Sequence, residues 1–349
     1  MQTRNIIVIG ASAGGFEALK KLVGALPADL EASIFIVWHM APDVRSVLPQ
    51  VLNRLNSIHA THPFDNEPIV PNRIYVALPD RHLLVDKERV RVTRGPKENR
   101  FRPAVDPLFR SAAYAHNHRV IGVVLSGALD DGTAGLWSIK HRGGLAVVQD
   151  PVDAEVPSMP ENALREVDVD YVVPLKEMAD LLVRLSRESL SETGEVVMDQ
   201  EKATLAEVEI RIAAHDSAFE LDIMQFGELT PYTCPDCHGV LSALKDGSRT
   251  RFRCHTGHAY SADSLLAAVT ENIEEGLYSA MRGIEESVML LNHVGDHFAE
   301  VNQPKMAALY FQKAKEAETR AQFVRQAVLS HEQLSKDSLR QEFEEAGSG

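Results

Sequence analysis

Cysteine is scarce: the 349 residues hold three, all between 234 and 254. An odd, clustered set makes a poor disulfide framework and suits a metal site better. No run of roughly 18 apolar residues occurs, so no membrane span is expected. The apolar start, Met1–Leu19, is broken by Gly10, Gly14, Gly15 and Glu17. It reads as a buried strand and turn rather than a signal peptide, which makes the cytoplasm the default location. Positive charge is in deficit, with 36 Lys and Arg against 50 Asp and Glu, a net −14. That balance argues against a nucleic-acid partner, whose phosphates demand a basic surface. What is present is ordinary for a globular chain: 44 % hydrophobic and 25 % charged residues.

The deficit is uneven. Residues 1–186 carry 21 basic and 22 acidic side chains, net −1, and residues 187–349 carry 15 and 28, net −13. The chain therefore reads as two pieces. In the first, β-branched runs recur at Ile6–Ile9, Ser33–Trp38, Arg73–Ala77, Val120–Leu125, Leu145–Val148 and Tyr171–Val173. Helical patterns such as Phe16–Leu26 and Val44–Leu55 separate them. Near-continuous apolar strands alternating with helices predict an α/β fold, a doubly wound, mainly parallel sheet. The closely spaced runs in residues 73–94 predict an antiparallel excursion at its edge.

Ligands of such sheets bind beyond the carboxyl ends of the strands. Three strand ends carry suggestive residues: Ser12 in Gly10-Ala11-Ser12-Ala13-Gly14, His39 in Val37-Trp38-His39, and Asp130-Asp131 before Gly132. A serine hydroxyl needs a base to become a nucleophile, histidine can be that base, and a carboxylate fixes the imidazole. The Gly-x-Ser-x-Gly turn between strand and helix resembles a nucleophile elbow. A nucleotide-binding loop is the commoner meaning of such glycines. Against it, no acidic residue closes the second strand, no Walker lysine follows the loop, and no tyrosine has a lysine four residues later.

Several stretches in order carry a resemblance over roughly residues 3–186: IGASAGGFEAL (9–19), VWHM (37–40), RPAVDPLF (102–109), VVLSGALDDGTAGL (123–136), VVQDP (147–151) and SMPENA (158–163). They resemble the catalytic domain of the chemotaxis receptor methylesterases, the CheB family. The resemblance implies nucleophile Ser12, base His39 and carboxylate Asp131, with oxyanion contacts from the backbone amides of Ala13 and Ala128. It implies hydrolysis of glutamate γ-methyl esters on a chemoreceptor, with release of methanol. Similar members also deamidate receptor glutamines. No cofactor is needed for the reaction. The elbow begins at Gly10, so the stand-alone form without a fused receiver domain is expected. The competing expectations are a non-catalytic signalling scaffold and an esterase for another protein or a small ester. Residues 81–110 hold nine basic against four acidic residues, a stretch that could steer an acidic receptor or simply be a solvated edge.

Beyond the domain at 1–186, residues 187–228 read as linker and amphipathic segment, Ser186–Glu195 being the linker proper. Residues 229–260 read as a zinc-ribbon-like unit. Its spacing, Cys234-x2-Cys237-x16-Cys254-x3-His258, suits a structural Zn²⁺, and His255 or His238 could replace His258. Asp246-Gly247 marks a hairpin turn within it. Residues 261–341 predict an antiparallel helical hairpin broken at Asn302-Gln303-Pro304, whose exposed stripe would serve a partner or an oligomer. Residues 342–349 are expected to be disordered.

Overall fold

The computed structural model describes residues 3–190, 200–246, 249–335, 338–340 and 342–343. The chain packs as two compact units, Met1–Leu265 and Leu266–Gly349. In the first, strands β1 (Ile6–Ala11), β2 (Ser33–Trp38), β3 (His59–Thr61) and β4 (Arg73–Val76) precede a hairpin of β5 (His82–Val85) and β6 (Val90–Thr93). Strands β7 (Val120–Val124), β8 (Leu145–Gln149) and β9 (Tyr171–Val173) follow. Seven of them form one sheet in the order β3-β4-β2-β1-β7-β8-β9, and every pairing is parallel.

Helices cover both faces, because successive strand residues point to opposite sides. Ile7 and Ile9 pack with Leu19 and Leu22 of α1 (Gly15–Ala25), Leu52 of α2 (Leu48–Leu55) and, further along the chain, Leu182 and Leu185. Ile6 and Val8 pack with Leu108 and Phe109 of α3 (Val105–His116), Leu136 and Ile139 of α4 (Thr133–His141) and Met159 of α5 (Ser158–Glu166). Leu182 and Leu185 belong to α6 (Leu175–Arg187).

The excursion expected over 73–94 is smaller than its sequence suggested. Ile74, Tyr75 and Val76 are fully buried and enter the parallel sheet as β4 beside β2. Only β5 and β6 pair antiparallel, and they form a sheet of their own. The expected linker overlaps α6, which runs to Arg187, and its remainder from 191 lies outside the described residues. Helix α7 (Gln200–Ala213) occupies the segment after it and buries Val208 and Ile212.

Strands β10 (Glu228–Thr233), β11 (Val240–Asp246), β12 (Arg249–Cys254) and β13 (Ala259–Ser261) form an antiparallel ribbon within the first compact unit. Asp246 pairs with Arg249, so the ribbon is a hairpin there, although Gly247 of the expected turn is outside the described residues. The second unit is built on α8 (Ala262–Glu300) and α9 (Pro304–Leu329). Phe298 stacks on Tyr310 at 5.3 Å and Arg325 meets Glu285 at 2.9 Å, contacts that an antiparallel hairpin brings together. Residues 344–349 of the expected tail also fall outside the described residues. No helix among the described residues is long and apolar enough to cross a membrane.

Candidate active site

Sheet order reverses between β1 and β7, and the carboxyl ends of those strands open the crevice where ligands of doubly wound sheets bind. Ser12 follows β1 directly. Its N–H donates to the Ser126 carbonyl at 3.0 Å, and its own carbonyl accepts from Trp38 Nε1 at 3.0 Å. Gly14 turns the chain into α1 with φ of 72°, and a Cβ there would lie 2.6 Å from Ser126 Oγ. Gly127 lets β7 approach the elbow, since a Cβ on it would sit 2.8 Å from Ser12 Cβ and 2.1 Å from Met159 Sδ. Ser126 ties the two loops together: its hydroxyl donates to the Ala13 carbonyl at 2.7 Å and accepts from Val156 N–H at 2.9 Å.

His39 follows β2, and its N–H donates to the Ala11 carbonyl at 3.1 Å. Its ring bridges the other two residues. Nε2 lies 2.7 Å from Asp131 Oδ2 and Nδ1 lies 3.2 Å from Ser12 Oγ. With the carboxylate taking the Nε2 proton, Nδ1 is left as acceptor for the serine hydroxyl. Phe101 stacks on the imidazole, centroids 3.9 Å apart and planes 11° apart, which fixes the ring's rotation.

Asp131 precedes α4 yet serves α3. Its carboxylate accepts the N–H groups of Val105 (2.7 Å) and Asp106 (3.2 Å) at the start of α3, and the Asn99 amide at 2.9 Å. Asp106 returns the service, accepting Gly132 N–H at 3.1 Å and Gly135 N–H at 2.7 Å at the start of α4. Each buried carboxylate thus satisfies the orphan donors of the other's helix. Burial would push the Asp131 carboxyl up, but the His39 hydrogen bond and charge, then the Val105 and Asn99 donors, hold it below the usual carboxylate range. Burial and the neighbouring Asp131 charge push Asp106 up to about 7. Asp130 does not reach His39; it accepts from Ser261 Oγ at 2.7 Å.

Ser12 and His39 open on a cleft of about 390 Å³, also lined by Met40, Lys97, Arg100 and Arg102. Ala13, next to Ser12, and Ala128, next to Gly127, are exposed, and neither amide N–H donates to a protein group among the described residues. Arg102, the first residue of the RPAVDPLF stretch, is held by Asp80 at 2.6 Å and the Gly95 carbonyl at 2.7 Å. It shapes the cleft wall as an ion pair.

The second chemical cluster is the ribbon knuckle. The donor atoms of Cys234, Cys237, Cys254 and His258 all lie within 4.8 Å of one another. The Cys237–Cys254 sulfur separation is 3.7 Å, near the edge of about 3.8 Å that a tetrahedron with bonds of about 2.3 Å requires. The cysteines form no disulfide. Three sulfurs and an imidazole fit a tetrahedral ion, and among the described residues it is His258, rather than His255 or His238, that groups with the three cysteines.

A third group had no signal in the sequence. Arg110, Arg251 and Arg253 share the buried carboxylates Glu98 and Glu209. Arg251 grips Glu209 with two bonds of 2.8 and 3.0 Å. Arg253 Nη2 bridges Glu98 at 2.9 Å and Glu209 at 2.8 Å. Arg110 pairs with Glu98 at 3.0 Å. Asn99, Phe101 and Ser126 were also invisible as site residues, although Phe101 borders the RPAVDPLF stretch and Ser126 lies in VVLSGALDDG.

A serine turn after β1, an imidazole bridging it to a buried carboxylate, and a switch-point crevice together form a hydrolase-type arrangement. The CheB methylesterase family model matches residues 7–182. A Leptospira interrogans protein, provisionally named a protein-glutamate methylesterase/protein-glutamine glutaminase, is 39 % identical over 187 residues, 53 % of this chain and 97 % of that protein. A Geobacter metallireducens protein named protein-glutamate methylesterase/protein-glutamine glutaminase 1 is 40 % identical over 180 residues, 50 % of this chain and 49 % of that one. The crystal structure of the Thermotoga maritima CheB methylesterase catalytic domain matches with a TM-score of 0.51 and 31 % identity, covering 53 % of this chain and 100 % of that one. This chain belongs to the CheB methylesterase family, and its first half is the methylesterase domain.

Proposed function

We propose that the chain hydrolyses glutamate γ-methyl esters on methyl-accepting chemoreceptors, and the matching amides of glutamine, through an acyl-enzyme on Ser12. The observation that carries this reading is the single imidazole within reach of both Ser12 Oγ and Asp131. His39 Nδ1 takes the hydroxyl proton as Oγ attacks the ester carbonyl, and returns it to the departing methoxide. Asp131 holds the tautomer and balances the imidazolium. The Ala13 and Ala128 N–H groups face the developing oxyanion, as the free donors of such a loop pair would. Water then repeats the cycle on the acyl-enzyme. The reaction needs no organic cofactor or metal, and the reading places the protein in the cytoplasm.

Labelled methanol should leave methylated receptor membranes with the wild-type protein, and Ser12→Ala should release no more than the blank. Equal release by both would sink the reading.

The knuckle is proposed to hold a structural Zn²⁺. Four protein ligands close the coordination sphere and leave no site for a reacting water. Metal analysis should find about one zinc per chain, and Cys254→Ser should lose it. A folded wild-type protein without metal would refute the site. The hairpin is proposed as a partner or oligomer surface, supported by the exposed side chains of Met289, Leu290, Phe323 and Leu329.

A further inference from the structure

The ribbon reaches the catalytic carboxylate through one buried side chain. Asn99 is 5 % exposed, and both ends of its amide are fully engaged. Its Nδ2 donates to Asp131 Oδ1 and to Asp106 Oδ2, each at 2.9 Å. Its Oδ1 accepts from Ser261 N–H at 2.9 Å and Ser264 Oγ at 3.1 Å. Two donations and two acceptances exhaust what an asparagine side chain can make. The two halves of the amide serve different parts of the chain: one faces the catalytic aspartate, the other faces β13 and the first turn of α8.

The backbone repeats the connection. Asn99 N–H donates to the Ala259 carbonyl at 2.8 Å, and Ala259 N–H donates to the Lys97 carbonyl at 3.2 Å. Residues 97–99 therefore lie along β13 as an added strand, with Glu98 bridged to Ala259 in parallel. Lys97 also pairs with Asp236 of the first knuckle at 3.0 Å. His258, a member of the Cys3His group, immediately precedes Ala259. The same short loop carries Phe101, the ring that stacks on His39.

We infer that the ribbon is a positioning element of the active site, with Asn99 as the positioning residue through which β13 aims Asp131 at His39. This rests on the triad reading above. An exposed appendage would leave the loop of residues 97–101 to find its own conformation. Here the loop borrows a strand edge and four hydrogen bonds from residues 259–264. Order at the knuckle is thus transmitted to the carboxylate without any ribbon group touching substrate.

The test uses the full chain and a fluorophosphonate probe, whose rate of covalent capture by Ser12 reports nucleophile activation without a receptor. Asn99→Ala should slow capture about tenfold or more, since the hydrogen bond it removes is made to a buried charge. On methylated receptor membranes it should lower kcat and leave KM near wild type, because the side chain does not line the cleft. Ser264→Ala, which touches no triad residue, should slow capture about three- to fivefold. His258→Ala should slow capture as Asn99→Ala does, with faster hydrogen exchange at the Asn99 and Phe101 amides and protection retained in β1.

Capture by Asn99→Ala within about twofold of wild type would overturn the inference. So would a His258→Ala protein whose Asn99 amide exchanges freely while capture stays at the wild-type rate. If His258→Ala also unprotects β1, or leaves Asn99 protected, Ser264→Ala decides: slowed capture supports the inference and an unchanged rate overturns it. Normal dependence of capture on Asn99, with no methanol released by wild type, would remove the substrate reading alone.

Discussion

Asp131→Asn is expected to slow methanol release about 10⁴-fold, the scale seen when a triad carboxylate becomes an amide. Every known neighbour of this carboxylate is a donor: His39 Nε2 and Val105 N–H on Oδ2, Asn99 Nδ2 and Asp106 N–H on Oδ1. An asparagine must turn its own NH₂ toward one pair or the other. Turned toward His39, it forces the tautomer that carries its proton on Nδ1, and Nδ1 can no longer accept from Ser12. Turned the other way, it sets NH₂ against the Asn99 amide and loses the loop. Single-turnover rates should fall with little change in receptor affinity, and a loss under tenfold would contradict the assigned role. The Asp131 carboxyl lies below its ordinary 3.8, so its contribution to stability is present above that pH and disappears only as pH falls through the depressed value.

Glu209→Gln is expected to destabilise the first unit by about 3–5 kcal/mol, the usual cost of removing one partner from a buried ion pair. Arg110 and Arg253, both almost wholly buried, would then rely on Glu98, and Arg251 would lose its two charge-assisted bonds to Glu209. The melting temperature should drop by roughly 10 °C, given about 2–4 °C per kcal/mol for a unit of this size. A drop of less than a few degrees would mean that the arginines find other partners. Burial works against ionisation of Glu98, yet Arg110 and Arg253 hold its pKa down to about 2. The network's support is therefore complete above pH 4.5 and is withdrawn as pH falls toward 2. Acid melts of Glu209→Gln should show less of that withdrawal than wild type.

The parallel sheet and the convergence of Ser12, His39 and Asp131 were legible in the sequence for one reason. Strands that are buried on both faces leave continuous apolar runs, and the residues just past Ile9, Trp38 and Leu125 converge because parallel strands end together. Other features resisted for reasons equally physical. His59–Thr61 is a three-residue edge strand with a partly polar face, too short to show a period. Arg73–Val76 looked like part of a hairpin because adjacency in sequence says nothing about which sheet a strand joins. Asn99 and Phe101 sit in the aperiodic stretch between β6 and α3, and their roles come from contacts with residues 39, 131 and 261, which no local pattern encodes. Glu98 and Glu209 are buried against arginine, and a net charge read from sequence says nothing of which acidic residues lie inside. Part of the acidity assigned to the second half is thus spent inside the fold, where Glu209 meets Arg110, and part at the surface, where Asp236 meets Lys97.

The strand-like pairing of residues 97–99 with β13 also bears on solubility. A sheet edge left bare offers its unpaired N–H and C=O groups to any passing chain. In this molecule the loop of residues 97–99 is what occupies that edge. Loss of order in either segment would uncover a template for intermolecular strand addition, so damaged copies should associate as they lose activity. Selection against aggregation and selection for turnover would then act on the same few backbone hydrogen bonds.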